Sequence, residues 1–556
     1  MRSTFTAPFM LRRPWTYAWV FTALAFASHL SAHAQSERTW PLHHAWSAWQ
    51  EGYARRADTN AFARTHSAFR PLRREQFLVD TVAFWKADQL DTTGPFLRKG
   101  LIGRKLWRDH FLSYRDTGVF ISLDPLFNLG LGQESGRDDR LYHNMRGFLV
   151  QGHAGPRLSF ESSFYTAQML LPAYYDSIAR RIGAVPGMGR SRSAVGADGR
   201  SIIYAMGHLS WTPSRYFNLQ AGHGQQFIGE GYRSMIWSDA TFPNAFLRAT
   251  TRLGNRIQYT NLYTQLHDLD RLRGAGDTRL PNKYVAAHYL SIKVGQRWEV
   301  GFFEAVIWPE QDTTGARNFE LNYLNPVIFL RPVEFGIGSP DNMLIGANVS
   351  YRAGRRTVFY GQMMLDEFKT TELFADDGWW GNKFGYQLGV KTWEPFGLPG
   401  TMLRLEHNAA RPFTYTHTRP RRSYSHYGLS LAHPLGANFR ESLAVLRYRN
   451  KRWMVMAKGN WAQFGVDSSG LNYGHDVRTL SDDRARDYGN EIGQGRAIRH
   501  AFYEFSLGYL LNPLTNMHLE LSYLQRRRSV EAIDQPTVDV IMLRWKTGLV
   551  NRYRDF

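Results

Sequence analysis

Residues 503–509 alternate strictly. Tyr503, Phe505, Leu507 and Tyr509 share one face, and Glu504, Ser506 and Gly508 share the other. The same period returns beyond Asn512 and Pro513, where Met517, Leu519, Leu521 and Tyr523 alternate with His518, Glu520 and Ser522. It returns again where Ile541, Leu543 and Trp545 alternate with Met542, Arg544 and Lys546. Successive side chains of a strand point to opposite sides, so each segment predicts a strand with one apolar and one polar face. Kept up over hundreds of residues, this pattern suits a barrel with lipid outside and water inside. Tyr503, Phe505, Leu507, Leu519 and Leu521 are then expected to face lipid, and Glu504, His518 and Glu520 the lumen.

The connections agree. Short turns fall at Gly155-Pro156, Thr212 to Arg215, Gly254-Asn255, Gly295-Gln296, Ala353 to Arg356 and Asn512-Pro513. Long polar stretches occupy 169–200, 223–244, 266–283, 309–340, 368–381 and 464–499. Short turns at one end and long loops at the other are the outer-membrane plan. The alternating segments number about nineteen, but bacterial single-chain barrels carry an even number of strands. The short–long alternation breaks between Asn408 and Arg452, which locates the miscount. The expectation is all-β: a transmembrane antiparallel β-barrel of about 18 strands, beginning near Gly118.

The N-terminus reads differently. Arg12 and Arg13 precede an apolar run from Trp15 to Ala27, and Ala32-His33-Ala34 offers a small-residue cleavage site. This predicts a secretory signal peptide over 1–34, cleaved after Ala34. The run is shorter than the ~20 residues a spanning helix needs. Residues 35–117 mix Ala, Arg, Gln and Trp without strict alternation, as between Trp46 and Ala63. They predict a small helical segment on the periplasmic side of the barrel or partly inside it. The barrel occupies 118–556.

Composition adds two constraints. The 556 residues contain no cysteine, which removes disulfides, cysteine lipidation and thiolate metal sites. Aromatic residues make up 14% of the chain, including 17 Trp and 28 Tyr, as membrane interfaces favour. The formal net charge is +20, of which the leader carries only three positive charges. An exported chain rarely meets nucleic acid, so the expected partners of this basic surface are polyanions: lipopolysaccharide or an acidic polysaccharide. The alternative is a merely solvated basic surface.

Six stretches, taken in order, resemble a known family. They are QAGHGQQFIGEGYRS from Gln220 to Ser234, ELNYLNPVIF from Glu320 to Phe329, and SPDN from Ser339 to Asn342. DEFK from Asp366 to Lys369, WWGNK from Trp379 to Lys383 and HPLGAN from His433 to Asn438 complete the set. The set resembles the capsule-assembly Wzi family, and within it the Bacteroidetes branch that includes proteins named gliding-motility RemB. The resemblance spans roughly residues 118–556. It implies an 18-stranded outer-membrane barrel with periplasmic helices, and a lectin role in holding capsular polysaccharide at the cell surface. The family's lectin residues do not map one by one onto this chain.

Enzymatic signatures fail. The glycine-rich run from Gly222 to Gly231 lacks a following Gly-Lys-Ser/Thr and the Gly-x-Gly-x-x-Gly spacing, so it is no phosphate loop. It reads as a loop or strand end where backbone passes tightly, or as a place where His223, Glu230 and Arg233 grip a sugar or close the lumen. Asp366 and Glu367 are adjacent and point to opposite faces of a strand, unlike a glycosidase pair. No Gly-x-Ser-x-Gly elbow or His-Glu-x-x-His motif occurs. No enzyme, metal or cofactor is expected.

The candidate ligand-binding residues lie in loops. Besides His223, Glu230 and Arg233, they include the segment from Arg331 and Glu334 to Asp341 and Asn342. That segment is expected to fold into the lumen, with Arg331 paired to Glu334 or Asp341. Arg411, Arg419, Arg421 and Arg422 form a second cluster, since arginine presents a donor fork suited to carboxylate or phosphate. Its alternative role is contact with lipopolysaccharide. The resulting expectation is an outer-membrane surface protein, not an enzyme, that binds or anchors polysaccharide and supports capsule assembly or surface adhesion and gliding. The alternative is a porin-like channel with a basic, anion-favouring lumen, to be separated by whether loops close the mouth.

Overall fold

The computed structural model describes residues 39–57, 67–73, 100–193, 199–268, 280–312, 315–327, 329–367, 369–373, 375, 377–548 and 550–556. The proposed leader and cleavage site lie outside these residues. Eighteen antiparallel strands close into one barrel. They are β1 (Val119–Glu134), β2 (Leu141–Ala154), β3 (Leu158–Leu170), β4 (Arg200–Ser214), β5 (Phe217–Gly224) and β6 (Asn244–Leu253). Next come β7 (Ile257–His267), β8 (Asn282–Val294), β9 (Trp298–Pro309), β10 (Asn342–Ala353), β11 (Thr357–Glu367) and β12 (Lys383–Trp393). The circuit ends with β13 (Thr401–Ala410), β14 (Phe439–Asn450), β15 (Trp453–Val466), β16 (Arg496–Asn512), β17 (Met517–Val530) and β18 (Val538–Lys546). A closed ladder pairs every strand on both sides, which a hydrocarbon surround requires.

Closure is staggered. β18 pairs only the upper part of β1, from Val540 against Glu134 to Lys546 against Asn128. The open edge below it is covered by Leu112–Asp116, which pairs Val119–Leu123. Thr547 bridges the gap, its Oγ1 donating to Pro125 O (3.0 Å) and accepting from Phe127 N (3.0 Å). An unpaired edge at this depth would leave donors and acceptors unsatisfied.

The extra segment in the strand tally is now located. Between β13 and β14 the chain makes a 411–438 loop in which only Ser425–His426 and Leu429–Ser430 pair, as a two-stranded ladder off the barrel. The loop is buried along most of its length rather than at alternate positions, so it adds no strand to the wall.

The expected register holds. On β16 to β18, Phe505, Leu507, Leu519, Leu521, Ile541 and Leu543 are exposed on the outer face. His518, Glu520 and Arg544 lie on the inner one, joined by the Arg544–Glu520 ion pair (2.8 Å). Aromatic pairs mark two levels. Trp298 packs on Tyr351 (4.5 Å between centroids) and Trp453 on Tyr509 (4.9 Å) next to the short turns. Trp461 lies eight residues up β15, roughly 26 Å along the strand. There its Nε1 donates to Tyr503 Oη (3.0 Å). These are the two girdles of a membrane barrel.

Helix α1 (His44–Ala57) lies within the lumen. Its Ala48 packs with Val358, Trp393 and Met402 of the inner wall, and Trp393 Nε1 donates to Ala48 O (2.8 Å). Helix α2 (Gly100–Trp107) sits at the short-turn end, where Asn512 donates to Lys105 O (2.8 Å) and Asp109 O (2.9 Å). Helix α3 (Ala173–Ile182) follows β3.

The segment before β10 departs from expectation: it does not fold into the lumen but doubles back over the outer wall of β7 to β9. Trp308, Val306 and Ala286, on the lipid-facing side of their strands, are covered by Tyr323 and Leu330. Helix α4 (Arg331–Gly336) is part of this flap. The reason is polar. Glu304 and His288 also point outward and pair at 2.9 Å. Glu304 then accepts the backbone N–H groups of Phe329 (2.6 Å) and Leu330 (2.9 Å). A carboxylate facing hydrocarbon is costly, and the flap satisfies it while presenting exposed Leu321, Val327, Phe329 and Phe335 to the surroundings.

Two outcomes are expected. Leu521→Arg, in the apolar band, should lower stability in phospholipid by about 2–4 kcal/mol, and Gln525→Arg, above the band, by about 0–1 kcal/mol. Denaturant titration of the refolded barrel checks this, and equal costs would place the band elsewhere. Glu304→Ala should release the flap, seen as loss of hydrogen-exchange protection at Phe329 and Leu330 while the β8–β9 ladder stays protected.

Candidate functional site: a lumen locked by its own loops

The glycine-rich run starts at β5 and then turns inward. Residues 226–244 are buried throughout as the loop crosses the lumen to the far wall. The wall receives it with inward-facing polar side chains on three adjacent strands. Glu406 of β13 accepts from Tyr232 N (2.7 Å), Arg233 N (3.0 Å) and Tyr360 Oη (2.8 Å). Gln362 of β11 accepts from Met235 N (2.8 Å) and donates to Ile228 O (2.8 Å). Gln387 of β12 donates to Arg233 O (2.9 Å). Two glycines permit this approach. A Cβ on Gly231 would lie 2.5 Å from Glu406 Oε2, and one on Gly229, at φ +147°, would lie 2.7 Å from Gln362 Nε2.

Arg233 is the centre of the lock and is fully buried. Its Nη2 donates to Glu441 Oε1 (3.0 Å) and meets Asp555 Oδ1 at 3.1 Å, and its guanidinium lies against the Tyr232 and Tyr553 rings. Burial opposes its charge, but Asp555 and Glu441 more than offset this and hold its pKa well above the ordinary value. Glu441 also accepts from His433 Nε2 (2.7 Å) and Asn460 Nδ2 (2.7 Å). Asp555 also pairs with Lys458 (3.1 Å). One cluster therefore ties the β5–β6 loop, the 411–438 loop, two wall strands and the C-terminal tail.

A second cluster secures the N-terminal segment. Glu230 and Glu51 of α1 share Lys391 and Arg70, with Lys391–Glu51 at 2.8 Å and Arg70–Glu51 at 3.0 Å. Phe69 and Arg70 pair Ile228 and Phe227 as a short antiparallel ladder. Tyr415 and Tyr424 of the 411–438 loop donate to Met235 O (2.8 Å) and Ile236 O (2.7 Å) from above.

The candidate residues thus divide. Glu230 and Arg233 both lie buried inside the lumen, Glu230 in the cluster with Lys391 and Arg70 and Arg233 in the one with Glu441 and Asp555. His223 does not join them: it lies on the exposed side of β5, its Nδ1 against Ala205 O (2.9 Å), because its parity on the strand is outward. Arg331 pairs Glu334 at 2.9 Å on the outer flap. Asp341 pairs Arg317 (2.6 and 3.0 Å) rather than Arg331 and accepts from Tyr323 Oη (2.7 Å). Asn342 donates to Arg422 O (2.9 Å), and Arg422 is buried 3.6 Å from Asp341. Arg411 donates to Trp379 O (3.3 Å) and Asn490 O (3.2 Å), binding loops together. Arg419 is exposed and Arg421 half-buried. The arginine cluster is therefore partly internal mortar.

The long-loop mouth carries a different surface. Trp380 is half-buried, with Arg484 at 4.2 Å and Lys383 at 4.8 Å over its ring. Lys369 stands 4.7 Å over the neighbouring Trp379, and Tyr488 is exposed beside them. Lys383 reaches Glu367 at 3.0 Å. Aromatic faces rimmed by charge can stack on sugar rings and bind their acidic substituents. None of these residues was among the candidates; Trp379 and Trp380 lie in the WWGNK stretch, the one local signal that could have found them. Arg484 and Tyr488 arrive from the β15–β16 loop, about a hundred residues away, with no local signal. Among the described residues no group of three metal-binding side chains occurs.

No family model and no curated protein matches the chain. Solved structures do. Wzi, "an outer membrane protein involved in group 1 capsule assembly in Escherichia coli" and a "carbohydrate binding beta-barrel", aligns at a TM-score of 0.50 and 12% identity, covering 89% of this chain and 97% of that one. OprD of Pseudomonas aeruginosa aligns at 0.41 and 12%, covering 78% and 95%, and OccAB2 of Acinetobacter baumannii at 0.40 and 10%, covering 76% and 97%. The likeness to Wzi shows the fold, that of an outer-membrane β-barrel.

Gly231→Ala should destabilise the barrel by about 1–3 kcal/mol through overpacking against Glu406. Gly336→Ala, with nothing within 4 Å of the added carbon, should be close to neutral. Thermal unfolding in detergent checks the contrast.

Proposed function

We propose that this protein resides in the outer membrane and binds or anchors a surface polysaccharide, without catalysis and without conducting solutes. The observation that carries this reading is the buried Arg233–Glu441–Asp555 lock, which spends the lumen on holding loops in place. A channel keeps charge around an open constriction. Here the charges are paired and the loops they hold are buried. What remains accessible is the mouth, where Trp380, Tyr488, Lys369, Arg484 and Arg419 present aromatic faces and cations. The fold likeness to a carbohydrate-binding barrel supports the same reading, as does the positive net charge of the chain. Capsule retention, or adhesion during surface movement, is the role such a binding face serves, and an acidic polysaccharide is the ligand class.

Purified protein in detergent should bind acidic polysaccharide and give no stable conductance in planar bilayers. Trp380→Ala with Tyr488→Ala should weaken binding by about 1–3 kcal/mol, at about 0.5–1.5 kcal/mol per stacked ring. Arg419→Gln should reduce the salt sensitivity of binding, because exposed ion pairs are screened. Steady anion-selective conductance with no polysaccharide binding would instead favour the channel.

A further inference from the structure

Below the lock, at the short-turn end of the lumen, is a chamber of about 220 Å³. Asn516, Thr547 and Gly548 form part of its wall, so it reaches the level of the turns. Its lining is strongly unbalanced. Seven Arg and Lys side chains face it against two carboxylates, Glu504 and Glu520. Both carboxylates are already engaged. Glu520 holds Arg544 and Lys546, each at 2.8 Å, and Glu504 holds Lys458 at 2.9 Å.

Of the four arginines that remain, Arg449 donates to Lys451 O (3.2 Å), which leaves three. Among the described residues, Arg447, Arg552 and Arg554 have no carboxylate within ion-pair distance. Arg447, on β14, is 5% exposed, yet its Nε and Nη1 have no hydrogen-bond partner, and its Nη2 faces only Met456 Sδ at 4.0 Å. Arg552, on the C-terminal tail, donates to Met188 Sδ (2.8 Å), Met145 Sδ (3.0 Å) and Tyr204 Oη (3.0 Å), all uncharged acceptors. Arg447 is buried and Arg552 and Arg554 are half-buried; a guanidinium withdrawn from water without an anion is costly, and three of them around one cavity form a receptor for negative charge.

We infer that this chamber binds a phosphate group, as the free ion or as a phosphomonoester on a sugar or lipid. The chemistry favours phosphate over carboxylate. Arg447 approaches from the wall, and Arg552 and Arg554 approach from the tail. A tetrahedral oxyanion offers acceptors in all these directions, whereas a planar carboxylate offers two oxygens in one plane. The bound dianion clamps the tail to β14. The tail carries Tyr553 and Asp555, so the clamp adds to the lock above. This site is separate from the sugar-binding mouth and does not depend on it.

The test uses the full chain in detergent at constant ionic strength, with inorganic phosphate replacing chloride in the millimolar range. Phosphate should raise the melting temperature saturably and slow hydrogen exchange in residues 550–556. Arg447→Met with Arg552→Met should weaken phosphate binding about tenfold or more, the loss of one or two charge-assisted hydrogen bonds. In chloride alone the same variant should melt at or above the unsubstituted protein, because a buried and a half-buried guanidinium, neither facing an anion, have been removed. Arg215→Gln, in an exposed turn, should leave the response intact. Glucose 1-phosphate and dihexanoylphosphatidic acid, run in parallel, identify a sugar or a lipid as the carrier of the group. Absence of any phosphate response, or an equal response from the protein and the double variant, overturns the inference.

Discussion

Everything in this molecule follows from one constraint: in hydrocarbon, no backbone donor or acceptor can be left unpaired. It closes the eighteen strands into a ring and brings Leu112–Asp116 to the seam that β18 is too short to cover. It also makes the interior the only place where polar side chains can gather freely. An 18-stranded wall encloses more space than side chains alone can fill. The chain fills it with its own loops, and each loop brings backbone groups that the wall must satisfy. Gln362, Gln387 and Glu406 do this, Glu441 takes the Arg233 side chain, and their inward parity on β11 to β14 sets where the loop can sit.

The same logic explains why charge is spent so heavily inside. Arg233, Lys391 and Lys458 are buried, and each is matched by two carboxylates. Such ion pairs contribute less to stability than their number suggests, because desolvation offsets much of the attraction. They do specify arrangement, since a loop in any other position would leave a buried charge uncompensated. The chamber lined by Arg447 and Arg552 is one place, among the described residues, where no carboxylate of the chain meets the charge.

The outer wall shows the converse. Where His288 and Glu304 face outward, the barrel carries a polar pair at the depth of its apolar band, and a flap from residues 319–337 seals it. The flap is amphipathic: Tyr323 and Leu330 face the wall, and Val327, Phe329 and Phe335 face away. A fault in the lipid-facing alternation and the segment that corrects it are thus neighbours in space and separated by only about fifteen residues in sequence.

The alternation of Phe505, Leu507, Leu519 and Leu521 with Glu504, His518 and Glu520 determined the barrel and which face of each strand meets lipid, because period two is a local property of a strand; the pairing register between strands it left open. Turn residues such as Gly155-Pro156 and Asn512-Pro513 likewise determined where strands reverse. What alternation could not settle was the strand count between Asn408 and Arg452, where the chain makes a long buried loop before β14. Only the tertiary structure decided that Glu230 and Arg233 are buried inside the lumen while His223, from the same run, faces outward. It also decided that Arg317 rather than Arg331 takes Asp341, and that Trp380 meets Arg484 at the mouth. The physical reason is that each of these pairings joins segments whose approach depends on barrel closure and loop path, and an ion pair or a ring contact leaves no periodic trace in the chain that makes it.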